Sequence, residues 1–186
     1  KMKPSDLSKK GHNVMVLIYY GKQYALRDQV AEVLEQMHVP YVELGDEDLD
    51  RTLKELIQKE ESTACLEGER DIFMYFSDVP VDTIEKIDDA LKAKGIHIVH
   101  KAVKTDTNLG WKLSDLLDHI HAEASYFQKR EKLRTLVSHP DPVLLSTNPK
   151  YRDLMVMGFE LLEETDVPEK MYDTAIHLIE TFPEHA

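Results

Sequence analysis

The chain has 186 residues, enough to bury a full core, and its 42% hydrophobic and 31% charged content is that of an ordinary globular protein. A formal net charge of -12 opposes nucleic-acid backbones and anionic membrane surfaces, so neither is expected as a partner. The single cysteine, Cys65, has no internal disulfide partner and no early apolar run has the form of a signal peptide or spanning helix, so a reducing cytoplasm is the expected setting, with Met2 rather than Lys1 as the native start.

After a polar, loose start from Lys1 to His12, the run Val14 to Tyr20 is continuously apolar and ends at Gly21, the pattern of a strand buried on both faces. Leu26, Val30, Val33, Leu34 and Met37 fall on one helical stripe, which Pro40 stops. Tyr41-Val42-Glu43-Leu44 reads as a second strand. Asp46 after Gly45 is placed to cap a helix with the stripe Leu49, Leu53, Leu56 and Ile57. A polar link, 58–70, leads to a third strand at Ile72 to Phe76 and a helix with Ile84, Ile87, Ala90 and Leu91, ended by Gly95 in a left-handed cap. Ile96 to His100 reads as the fourth strand, and Leu113, Leu116, Leu117, Ile120, Ala124 and Phe127 mark a long helix.

Beyond Phe127 the stripe loses phase, so the helix is expected to bend, end or meet a new neighbour. Ser138 to Pro142 is a proline-rich turn. Pro149, at a first helical position behind Thr147 or Asn148, opens another helix, and a last one runs from about Pro168 to Phe182. Both are apolar over much of their girth and need a cover, from the main domain or from a second chain.

Little catalytic chemistry is legible. Asp46, Asp48 and Asp50 imitate the start of a calcium loop, but the turn glycine is missing and Ile57 stands where a bidentate glutamate belongs. No metal site is expected among the histidines, since His119 and His121 lie on opposite sides of a helix and His97 and His100 face opposite ways on a strand. Gly21 is a lone glycine after a strand, read as a turn residue before it is read as an anion cradle. Walker and dinucleotide fingerprints are absent, Cys65 lies among carboxylates that suppress its thiolate, and no serine sits in a nucleophile elbow. No catalytic residue and no cofactor are therefore assigned.

The remaining candidate is Thr105 to Trp111, which holds the only tryptophan. Thr105, Thr107, Asn108 and Trp111 form either a capped turn under an indole lid or a polar ligand site with the indole as one wall, and turn chemistry accounts for every residue. Laying Val39 on Ile96 brings Val30, Val33 and Leu34 onto Ile87, Ala90 and Leu91, which suggests two related strand-helix-strand-helix units, 13–58 and 71–137. On that reading the tryptophan segment is a loop lengthened in the second unit only.

At Lys101-Ala102-Val103-Lys104-Thr105, then Asn108, Trp111, Leu113, Leu116 and Leu117, the chain resembles a small bacterial family known as domain of unknown function 3783. The resemblance covers about residues 72–120, with Lys112 where a threonine is expected after the tryptophan. It implies one strand-helix-strand unit ending in a Thr-x-x-Asn-x-x-Trp segment before a helix, and a bacterial cytoplasmic setting, but no chemistry.

The expected architecture is an α/β domain over residues 1–138 with a four-stranded, mainly parallel sheet, followed by a C-terminal helical appendage over 139–186. The expected function is a non-enzymatic regulatory or protein-interaction module, with a protein partner or homodimer formed through the C-terminal helices. The alternative is a small-molecule-binding protein or enzyme with a composite site near Asn108 and Trp111 at the strand ends.

Overall fold

A computed structural model describes residues 14–185; the expected polar start lies outside them. The elements in chain order are β1 (Met15–Tyr19), α1 (Arg27–Gln36), β2 (Tyr41–Leu44), α2 (Leu53–Leu56), β3 (Phe73–Ser77), α3 (Val81–Ala93), β4 (His100–Val103), α4 (Leu113–Ser138), α5 (Pro142–Thr147), α6 (Pro149–Glu163), α7 (Glu169–Glu180) and α8 (Phe182–His185). None of the described helices is long and apolar enough to cross a membrane. Two compact units divide the chain, one ending at Ile120 and the other beginning at His121. The division thus falls inside α4.

In the first unit the strands form one sheet in the order β2-β1-β3-β4. The outer pairs are parallel, with Leu17 opposite Val42 and Tyr75 opposite Ala102, and the central pair is antiparallel, with Leu17 opposite Tyr75. Because side chains alternate along a strand, β1 and β3 each feed two cores. Val16, Ile18, Met74 and Phe76 pack with Val30, Val33 and Leu34 of α1 and with Ile87 and Leu91 of α3. Leu17, Tyr19, Phe73 and Tyr75 pack on the other face with Leu53 and Leu56 of α2 and Leu113, Leu116 and Leu117 of α4. This is the mixed α/β layering expected from the continuous apolar strands.

The fourth strand is displaced. Its ladder with β3 starts at His100, whereas Ile96 and Ile98 are buried in the first core without belonging to β4. Apolar alternation from Ile96 to His100 thus marks burial, while ladder pairing is decided by what lies alongside.

In the second unit, α4 continues because no glycine or proline interrupts it. Its phase change marks a new neighbour: Leu133 and Val137 enter a third core with Tyr151, Met155 and Leu161 of α6 and Tyr172, Ala175, Ile176 and Ile179 of α7. Phe127, expected on the buried stripe, is 63% exposed. Asn148 caps α6 by accepting from the Lys150 and Tyr151 amides at 3.1 and 3.2 Å. The short α5, which the proline-rich reading lacked, starts where the Asp141 carboxylate accepts from the Val143 and Leu144 amides.

Candidate functional site

The tryptophan segment follows β4 and is held by its own polar groups. The Asn108 amide oxygen accepts from the Thr105 backbone N–H at 2.9 Å and from the Tyr75 hydroxyl at 2.8 Å, while its Nδ2 donates to the Val103 carbonyl at 2.9 Å. Asn108 N–H in turn donates to Thr105 Oγ1 at 3.1 Å. Burial holds the Tyr75 phenol above its usual range, with the Asp78 charge adding to the effect, so it remains a proton donor for Asn108. Trp111 is half-buried against the second core and meets the His119 ring edge-on, centroids 5.2 Å apart. The fold therefore joins Thr105 and Asn108 directly, puts Trp111 on core side chains, and leaves Thr107 exposed.

A similar turn lies after β2. The Asp48 carboxylate accepts from the Gly45 N–H at 3.0 Å, from Thr63 Oγ1 at 2.6 Å and from Lys59 Nζ at 3.0 Å. The turns meet through reciprocal backbone bonds, Leu53 N–H to Trp111 O at 3.0 Å and Leu113 N–H to Arg51 O at 2.9 Å. The connection from β2 to α2 spans residues 45–52 and that from β4 to α4 spans 104–112, so the expected lengthening shrinks to a single residue. Leu49 misled the sequence reading: it follows a single 3-10 turn, Asp46–Asp48, and is partly buried on the second core, as is Leu109. The helix begins only at Leu53, where Thr52 Oγ1 accepts from the Glu55 N–H at 3.3 Å. Asp46, expected as the cap, instead accepts from the Tyr19 hydroxyl. With protein donors on Asp46 and Asp48, the calcium-loop resemblance dissolves into turn chemistry.

The polar link 58–70 proves to be a strap beside the ends of β1 and β2. Thr63 N–H donates to Glu43 O, Gly68 N–H to Gly21 O, and Lys22 N–H to Arg70 O. Gly21 has φ of +54°, and a Cβ there would lie 2.0 Å from the Arg70 carbonyl oxygen. Its neighbours' amides are already used, Lys22 on Arg70 and Gln23 on Tyr20, so an anion cradle is not assembled. Ordinary α/β sheets leave such strand ends open to ligands. Here this chain's own strap occupies them.

Glu43 is the functional-looking residue that the sequence reading passed over. It is 3% exposed, its Oε2 accepts from the Tyr20 hydroxyl at 2.8 Å, and Arg27 donates to both oxygens at 2.9 and 3.0 Å. A carboxylate set between Val42 and Leu44 in a short strand is the available signal, because a charge buried there requires a partner. The forked Arg27 contact and the hydroxyl saturate it, so it joins β2 to the start of α1.

The second unit carries a different surface. Met157 and Leu161 of α6 and Met171, Ala175 and Leu178 of α7 line an open groove of roughly 250 Å3, with Thr174 and Lys170 at its edge. Met157, Met171 and Leu178 are 37%, 45% and 44% exposed, a concentration of large apolar side chains that water does not favour.

No curated protein and no solved structure matches the chain. Residues 73–127, which run from β3 through the tryptophan turn into α4, match the model of a family described as a domain of unknown function (DUF3783).

Proposed function

We propose that the chain is a non-enzymatic protein-interaction module, built as two related α/β halves with a C-terminal helical appendage, and that the appendage docks its partner. The apolar α6–α7 groove carries this reading. It offers unbranched methionines, which repack around different side chains, beside apolar α7 positions at 171, 175 and 178, the spacing of one helix face. The tryptophan turn supplies less for a ligand, because the polar atoms of Asn108 and Thr105 are used on each other, Val103 and Tyr75.

Relatedness of the halves is supported by residues sixty positions apart. Asp46, Leu49, Leu53 and Leu56 recur as Asp106, Leu109, Leu113 and Leu116, and Asp48 is replaced by Asn108 in the same bond to the amide three residues earlier. The antiparallel β1–β3 pair is centred on Leu17 and Tyr75, with each parallel partner outside it, which is the arrangement of a two-fold duplication. A bacterial cytoplasm is the setting that suits a chain with one cysteine and the family resemblance.

A photo-crosslinking side chain at Met171 tests the docking surface in cell extract, with the same group at exposed Lys86 as control. A protein adduct formed from position 171 and absent from position 86 is the expected result. Equal or absent labelling at the two positions would remove the groove as a docking surface.

A further inference from the structure

We infer that the occupant of this groove is the same groove of a second copy, giving a two-fold bundle of two α6 and two α7 helices; the inference rests on the docking reading above. The argument is self-complementarity, acid against base, along the two helices that form the groove. Asp153 and Glu160 are exposed and seven residues apart on α6, so they lie on nearly one line, about 10 Å apart. Lys170 and His177 stand in the same relation on α7. None of the four has an ion-pair partner among the described residues.

The connection 164–168 is short, so α6 and α7 are antiparallel neighbours. Counting along each helix from that connection, Glu160 lies near the level of Lys170, and Asp153 near that of His177. A two-fold axis parallel to the helices sets α6 of one copy against α7 of the other, running in opposite directions. Glu160 then faces Lys170 and Asp153 faces His177, each pair occurring twice, while the exposed Met157 meets Met171 and Leu178 between them. Lys150, in the first turn of α6, comes level with the last turn of the opposing α7, where a cation is favoured. The alternative axis, which stacks α6 on α6, brings like charges together. An isologous contact needs one surface to complement itself, and this one does.

Sedimentation velocity on the full chain, up to about 100 µM in low salt, tests the proposal. A dimer is expected that Leu178→Asp abolishes while the far-ultraviolet spectrum is unchanged, since Leu178 is exposed. Lys170→Glu and Glu160→Lys should each weaken it about tenfold, and the double swap should restore it, because each reversal introduces repulsion at two symmetric sites. A monomer throughout, or a dimer indifferent to Leu178→Asp and the charge swaps, overturns the inference. The outcomes separate from those above: a chain that is monomeric yet crosslinks from position 171 to a different protein keeps the docking surface and loses the self-association.

Discussion

Replacing Asn108 with alanine separates a turn from a binding site, because the two readings place its value in different measurements. The side chain makes three hydrogen bonds, to the Thr105 amide, the Tyr75 hydroxyl and the Val103 carbonyl. At a net value of about 1 kcal/mol each, their sum is near 3 kcal/mol. The Thr105 and Val103 groups are exposed enough for water to re-bond them. Tyr75 itself is 0% exposed, and leaving its hydroxyl without its acceptor costs about 1–3 kcal/mol. Together these give an expected loss of about 2 kcal/mol, carried mainly by Tyr75. Urea denaturation followed by Trp111 fluorescence reads the unit concerned, since the only tryptophan lies on its second core. With a urea slope of about 2 kcal/mol per molar, the midpoint should fall by roughly 1 M. In a double-mutant cycle, Tyr75→Phe and Asn108→Ala should couple by about 1 kcal/mol. A midpoint unchanged within error, or a cycle with no coupling, would refute the structural account and return Asn108 to the list of ligand residues.

Two further outcomes test the scaffold. Gly21→Ala should destabilise by more than about 2 kcal/mol, combining the left-handed backbone with a Cβ 2.0 Å from the Arg70 carbonyl, whereas Gly95→Ala, at φ of +74° with nothing within 4 Å, should cost only about 1 kcal/mol; equal losses in thermal melts would show that the strap yields freely. Hydrogen bonds from Lys101 and then Lys92 hold the Asp88 carboxyl down at about 2. A depressed carboxylate contributes stability that is present above its ordinary value near 4 and is lost as pH falls towards 2, so the stability gap between the native chain and Asp88→Asn should close across that window. A gap that persists unchanged at pH 2 would count against the ion pairs.

Most of the layering was legible before any coordinates. Val14 to Tyr20 and Ile72 to Phe76 are continuous apolar runs, and burial on both faces of a central strand is the common way to satisfy such a run in a mixed sheet. The helix stripes through Val30 and Ile87 likewise announced which face they would cover. Local polar chemistry was legible too, as with Asn148 and Pro149 at the start of α6. What failed was anything that depended on a neighbour. Leu49 fitted a helix stripe because a partly buried turn residue and a helical one are indistinguishable by hydrophobicity alone, and that error created the supposed extra loop. Ile96 and Ile98 carried a strand pattern because burial, not pairing, is what alternation records. Glu43 signals that a partner is needed, but not which one, because Tyr20 and Arg27 lie 23 and 16 residues away.

The candidate site shows the same division. Thr105 and Asn108 stand three apart, and that spacing alone implies a turn bonded to itself, as found. The third partner, the Tyr75 hydroxyl, arrives from β3, and the bonds joining this turn to Arg51 and Leu53 arrive from the other half of the sheet. Interactions within a few residues are fixed by the order of side chains along the chain, so residue order alone carries the class of fold, the Asn148 cap and the internal chemistry of the tryptophan turn. The antiparallel centre of the sheet, the closing of the β1 and β2 ends by the link 58–70 and the open apolar groove of α6 and α7 emerge on folding. Each of those depends on contacts between distant segments, whose free energy comes from which surfaces meet and not from the order in which residues follow one another.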